Sequence, residues 1–199
     1  MNSAFYVSLL LVGFAFGGGF AGCSTEMTTS HLTLEPPTDS SAVAVRAPVS
    51  ASIAPGTLCV AWRPTQDCRP DKTSLARFPS QTYVADDVLP WVDHALHAAN
   101  DARFATVENP IQADVVVTPR LRMLYLEFLD VTKCAVVVIE VEFSYRGQPT
   151  ITKTYRGQYA GLNWAGSDAE MERALRSALA TCVDKIMADL NSPAWIKAI

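Results

Sequence analysis

The sequence predicts an α+β domain in which two helices pack on one face of a mostly antiparallel sheet, in the order β-α-β-β-β-α. Three long runs in the second half alternate apolar and polar residues, the period of a half-buried strand. Two other segments repeat apolar residues every three or four positions, the period of an amphipathic helix. The 199 residues are enough for one such domain and its end segments.

The first 22 residues predict a signal peptide. The apolar run from Ala4 to Phe20 is broken by glycines, which weaken a membrane-spanning helix, and is followed by the small residues Ala21 and Gly22. Together with Cys23 these residues resemble the lipobox of bacterial lipoproteins, although Phe20 stands where leucine is usual and no Lys or Arg precedes the apolar run. The resemblance implies cleavage before Cys23 and acylation of its thiol and new amine. Cleavage by the ordinary signal peptidase and an uncleaved anchor remain alternatives.

Residues 23–56 predict a lipidated cysteine followed by a flexible tether. The stretch is rich in Ser, Thr and Pro and lacks aromatic residues, so it offers little apolar surface to bury. The segment Ala42 to Val45 is an exception that favours an additional edge strand. Several acyl chains on Cys23 would hold the chain stably at a membrane. Ser24 in the position after Cys23 implies, by the sorting pattern of enterobacterial lipoproteins, the outer membrane.

The domain is predicted over residues 57–191. A first strand spans 58–62, and a loop with Cys68 follows. Asp86 and Asp87 are typical helix caps before a helix over 87–102, which tolerates Pro90 in its first turn. A short strand is predicted over 104–107.

Three long strands are predicted over 115–126, 131–145 and 150–159. In the first, Leu121 and Met123 belong to the apolar set, while Arg120 and Arg122 lie on the other face. Pro119 indicates an edge position or a bulge. The two arginines are expected to face Glu140 and Glu142 across neighbouring strands.

The last helix is predicted from a capping box, Ser167 to Glu170, and from apolar residues that recur as far as Leu190. The remaining residues, 192–199, form a short apolar tail. This tail either folds back onto the domain or contacts a membrane or partner.

The whole arrangement resembles the small outer-membrane lipoproteins of the transport-auxiliary, YajG-like type. The resemblance rests on the lipobox, the tether and four stretches of the domain: 60–64, 113–117, 153–157 and 167–190 with its acidic Asp189. It implies an α+β domain without a catalytic role, serving as an accessory factor in envelope transport or lipid traffic.

Four further cysteines in an exported chain suggest disulfides, and four cysteines allow three pairings. Cys59–Cys68 with Cys134–Cys182 is the first choice, although Cys134 shares a strand face with Glu140 and Cys182 lies on an apolar helix stripe. A bulge near Ala135 would reconcile these faces; otherwise Cys134 and Cys182 are separate buried thiols. No CxxC or Cys/His spacing indicates zinc.

No motif in the sequence indicates catalysis, a metal or a cofactor. His94, His97 and Asp101 share a helix face, which suits either a metal or, more simply, a solvated polar face. Asp86 and Asp87 are explained as caps rather than as an acid and base pair. The net charge of −4 and the absence of a basic cluster argue against nucleic acid as a partner.

These features predict a lipid-anchored cell-envelope protein that acts by binding, on the outer membrane and facing the periplasm. Its expected partners are the membrane, through acylated Cys23, and an envelope protein. Trp164, before the last helix, either contacts that partner or packs over the helix start. The alternatives are a carrier of a lipid or other apolar ligand between helices and sheet, and a hydrolase.

Overall fold

The computed structural model describes residues 28–34, 58–77, 81–101, 103–129, 131–146, 148–162 and 167–192. The first strands are short: β1 (Thr28–Leu32), β2 (Cys59–Trp62), β3 (Gln66–Asp67), β4 (Ala76–Arg77) and β5 (Gln81–Ala85). Helix α1 (Val88–Asp101) and strand β6 (Ala105–Thr106) follow. The long strands are β7 (Val115–Leu129), β8 (Thr132–Tyr145) and β9 (Ile151–Leu162), and helix α2 (Asp168–Leu190) comes last.

The larger sheet has the order β6-β2-β7-β8-β9, with β3 paired to β7 beyond the end of β2. The long strands are antiparallel, whereas β2 is parallel to β6 and β7. Helix α2 packs on β8 and β9, and α1 packs on α2, so both helices lie on one face. The predicted α+β class, its two helices and its long strands are confirmed.

A second, smaller sheet was not predicted. Its order is β1-β5-β4, and β1 is parallel to β5. Strand β1 lies inside the segment predicted as a flexible tether, and that prediction is wrong for these five residues. Only Leu32 of β1 is buried, so the strand forms through backbone pairing with distant β5 and leaves no apolar alternation in the sequence.

A β-bulge between Leu121 and Met123 changes which side chains of β7 are buried. The alternation predicts Met123 on the packed face, but one extra residue moves it to the other face. Met123 is 45% exposed, while Leu124 and Leu126 enter the core. The predicted packing of Met123 is therefore wrong.

Pro119 lies in the strand interior at a place where its missing N–H costs no ladder hydrogen bond. The segment beside β7 is β2 followed by β3. It pairs with β7 as far as the hydrogen bond from the Arg63 N–H to the Val117 carbonyl, and it pairs again where Gln66 lies opposite Arg120. Pro119 faces the interval between these two pairings. The proline therefore marks the break between β2 and β3 rather than an edge or the bulge.

The starts of the two helices differ from the predicted caps. Ser167 makes no side-chain cap hydrogen bond, so the capping box is wrong, and the Glu170 carboxylate pairs instead with Lys133. Asp87 precedes α1 with a φ of 52°, and its carbonyl accepts the Trp91 N–H. An ordinary N-cap residue has extended backbone angles, so Asp87 is not an ordinary N-cap. Among the described residues, no helix is long and apolar enough to cross a membrane.

Candidate binding surface

The face of the β7-β8-β9 sheet opposite the helices is called the open face. Its side chains come from alternate residues of each strand, with the β7 bulge included. They include Val116, Thr118, Arg120, Arg122, Met123, Tyr125 and Glu127; Cys134, Val136, Val138, Glu140, Glu142 and Ser144; and Thr152, Thr154, Arg156, Gln158 and Ala160. The open face is thus a regular surface fixed by three long paired strands.

A network of four charged side chains occupies one end of the open face. Arg120 lies 2.9 Å from Glu142 and 3.4 Å from Glu140, and Arg122 lies 2.7 Å from Glu140. The predicted facing of these arginines and glutamates is confirmed. The hydrogen bond from Arg122 is the main cause that lowers the pKa of Glu140. Glu140 therefore stays ionised at neutral pH, and its bonds to the two arginines order this part of the surface.

The other end of the open face is more apolar. Met123 is exposed there, Tyr125 and Val138 are half-buried, and Val136 is buried. A groove of about 350 Å³ runs beside this end, lined by residues 69–71, 74–76 and 123–126. Its wall is held by Arg69, whose guanidinium forms two hydrogen bonds of 2.9 Å with the Asp67 carboxylate.

A second, more polar cavity of about 230 Å³ lies near the start of α2, lined by Lys133, Tyr159, Leu162, Glu170 and Arg173. Lys133 is almost fully buried and lies 2.8 Å from Glu170. Sequence reasoning missed this ion pair. The available signal was that Lys133 has the same parity as Ala135, Val137 and Ile139, which face the helices.

Several groups with raised pKa values lie on α2 and on the sheet face that this helix covers. Burial raises the pKa values of Tyr145 and Tyr155, and the Asp189 carboxylate, which accepts the Tyr155 hydroxyl at 2.7 Å, adds to the shift of Tyr155. Burial also raises the pKa of the Cys182 thiol to about 11 and that of Asp184 above its usual value. These groups support the core and face away from the open face.

The predicted disulfides are wrong, because Cys59, Cys68, Cys134 and Cys182 are free thiols. The Cys59 backbone is hydrogen-bonded to Asp114 and the Cys68 backbone to Leu121, so the two cysteines lie roughly 23 Å apart along β7. A disulfide needs a Cα separation below about 7 Å.

Cys134 and Cys182 are also too distant from each other. The Cys182 thiol contacts the Tyr155 carbonyl, at the level of Ile139, roughly 17 Å along β8 from Cys134. Strand β8 has no bulge near Ala135, so Cys134 points to the open face and Cys182 packs on the other.

The candidate metal residues on α1 have separate contacts. The His97 ring lies 6.1 Å from that of Trp62, and Asp101 accepts a hydrogen bond from Thr106. Within the part of the chain that the structure describes, no group of three His, Cys, Asp or Glu residues is placed to hold a metal ion. Cys23, Trp164 and most of the tail lie outside the described residues, as does the segment Ala42 to Val45.

No family model and no curated protein matches this sequence. Protein XCC0632 of Xanthomonas campestris, a DUF330 protein, has a similar structure, with a TM-score of 0.56, 11% identity, and coverage of 86% of this chain and 98% of its own. This likeness shows a shared fold.

Weaker similarities extend to a hypothetical protein of Chlamydia trachomatis and to rare lipoprotein B of Shewanella oneidensis. The first has a TM-score of 0.49 at 9% identity, covering 69% of this chain and 96% of its own. The second has a TM-score of 0.40 at 15% identity, covering 68% and 98%. The second of these proteins is a bacterial lipoprotein by its name.

Proposed function

We propose that this chain is a lipid-anchored cell-envelope protein of the transport-auxiliary, YajG-like type, which acts by binding a protein partner without a chemical step. The observation that carries the proposal is the open face, a regular sheet surface that both helices leave uncovered. Its charges are already ordered by the network around Glu140, so a partner meets a preformed surface.

Anchoring supplies the second part of the proposal. Acylation of Cys23 would hold the domain at the outer membrane on its periplasmic side, within reach of an envelope transport or assembly system. A tethered domain binds its partner at a raised effective concentration, so a modest interaction at the open face is sufficient.

The proposal is tested by crosslinking and purifying the tagged full-length protein from its native envelope, beside a Cys23→Ala variant. We expect envelope transport or assembly subunits with the anchored protein and a several-fold loss with Cys23→Ala. Arg120→Glu tests the surface itself, and Lys72→Glu, an exposed charge change in the loop after β3, is its control. If the Arg120→Glu variant recovers the same partner protein as the parent chain does, the result would contradict docking at the open face.

A carrier of an apolar ligand is the second candidate, favoured by the 350 Å³ groove, which lies within the size range of small-ligand sites. The groove lies at the margin of β7 rather than between helices and sheet. Lipid that copurifies with the parent protein and is lost in Met123→Glu would favour this candidate, and mass spectrometry of the purified protein measures it.

A further inference from the structure

The outer edge of β9 is a long unpaired strand edge. Strand β9 has 12 residues, pairs with β8 alone, and no described segment pairs with its other side. At the usual rise per residue the edge is about 40 Å long. Exposed edges of this kind are templates for the addition of another strand.

The register shows which backbone groups face outward. Leu126 donates its N–H to Leu75, away from β8, so its partner Ala135 directs its backbone groups to Tyr159 on β9. Residues of the opposite parity on β9 therefore direct their N–H and C=O groups to the free edge. These residues are Thr152, Thr154, Arg156, Gln158, Ala160 and Leu162. The Lys185 ammonium agrees with this parity, because it donates to the Arg156 carbonyl at 2.6 Å.

Strand β9 has few of the features that protect natural edges from pairing. It contains no proline, and its register with β8 is continuous over all of its residues. The side chains that flank the edge on the open face are exposed. Besides the charged side chains of Lys153 and Arg156, the described residues protect the edge through the Lys185 bond at Arg156, which a partner strand's N–H would replace.

The charge of this edge defines the partner. Strand β9 has two cations, Lys153 and Arg156, and no carboxylate. Asp189 neutralises Lys153 at 2.9 Å, whereas no ion pair of the described residues engages Arg156 or Lys185, which are both exposed. The nearest carboxylate by register, Glu140 opposite Thr154, is already bonded to Arg120 and Arg122. Two cations that form no ion pair among the described residues therefore lie at the middle of the edge, Arg156 on the open face and Lys185 reaching the Arg156 carbonyl from α2.

We propose that the β9 edge binds an extended acidic segment of a partner protein, which adds to the sheet as a further strand with a carboxylate beside Arg156. This inference rests on the proposed binding function and names the chemistry of the partner. A second copy of this chain is a poorer occupant. If two β9 strands paired antiparallel over their whole length, Arg156 would lie opposite Arg156 of the other copy, or opposite its Gln158 with the two arginines still close. Like charges at this distance destabilise the pairing.

The test measures fluorescence anisotropy of two labelled 12-residue peptides with the full-length protein in detergent. The peptides share a Val/Thr backbone pattern and differ only in carrying Glu or Lys at the charged positions. We expect the Glu peptide to bind at least tenfold more tightly. Methylation of its backbone nitrogens on one edge should abolish binding, because strand addition needs those N–H groups.

Two variants locate the binding on β9. Arg156→Glu should reverse the preference between the peptides, and Lys72→Glu should leave it unchanged. Gln158→Pro removes an outward N–H without touching the β8 ladder and should weaken binding at least tenfold. If Gln158→Pro does not fold, as judged by circular dichroism, the methylated peptide decides in its place.

Equal binding of both peptides, no binding of either, or indifference to methylation would overturn the inference. So would a homodimer that Gln158→Pro dissociates, since a second copy would then occupy the edge. An anchored Gln158→Pro protein that retains its crosslinked envelope partner would refute the edge inference and leave the proposed function intact.

Discussion

Replacing Gly157 with alanine is expected to separate α2 from β9. A Cβ atom at Gly157 would lie 1.9 Å from the Ala178 carbonyl oxygen and 2.7 Å from the Cys182 backbone nitrogen, where ordinary contact begins near 3.4 Å. The helix must therefore move by about 1.5 Å, because its backbone cannot rotate away as a side chain would. Overpacking of this kind costs about 1–3 kcal/mol, and a backbone obstacle puts the cost at the upper end.

The assay is thermal and urea unfolding followed by circular dichroism. A loss of about 3 kcal/mol corresponds to a decrease in Tm of about 6–12 °C for a chain of this size. Gly161→Ala is the matched control on the same strand, since the nearest atoms to its Cβ would belong to the Tyr159 side chain, which can turn aside as a backbone cannot. A Tm for Gly157→Ala within about 1 °C of the parent would refute the reasoning, because such a result requires a looser contact between α2 and β9.

Three further predictions concern charges and thiols. Glu170→Ala should destabilise the chain by about 3 kcal/mol in urea unfolding, since it leaves the Lys133 ammonium buried without its partner. Lys133→Met should cost less because the remaining carboxylate is closer to water, and equal costs would contradict this asymmetry. The hydrogen bond from Arg69 lowers the pKa of Asp67 below its usual 3.8, so its stabilising effect is present above that pH and lost as the pH falls through the lowered value. Asp67→Asn should therefore flatten the decline of unfolding free energy below pH 3.8, and an unchanged slope would count against the pair. Thiol titration without reductant should find four reactive cysteines besides Cys23 in denaturant, while native Cys182 stays unreactive at pH 8 because burial raises its pKa to about 11. Fewer than four thiols in denaturant would restore the disulfide hypothesis.

The long elements were predictable because their signal repeats. Helix α2 has apolar residues at helical spacing from Met171 to Leu190, and β8 alternates over its whole length. The facing of Arg120 and Glu140 followed from the same alternation once the two strands were taken as neighbours. Each of these inferences needs only local periodicity and an antiparallel connection.

The errors arose where structure depends on distant segments. Strand β1 pairs with β5, some fifty residues away in sequence, and its own residues are mostly polar. The bulge after Leu121 inserts one residue and exposes Met123, which no composition rule would locate. Cysteine pairing failed for the same reason, since parity can show that Cys134 and Cys182 face apart but only the register gives their distance along the strand.

The close approach of α2 to β9 links the stability of the core to the charge of the edge. Gly157 lets the helix lie against the strand, and the same contact brings Lys185 to the Arg156 carbonyl while Asp189 holds Lys153 on the core side. The edge thus receives a cation from the helix and has one of its own neutralised by the helix. A displacement of α2 by about 1.5 Å would withdraw Lys185 first, because its bond is made at the rim. On the proposed docking, Gly157→Ala should therefore weaken the preference for the acidic peptide at temperatures where the variant is still folded. Unchanged selectivity in a destabilised variant would show that Arg156 alone selects the partner's charge.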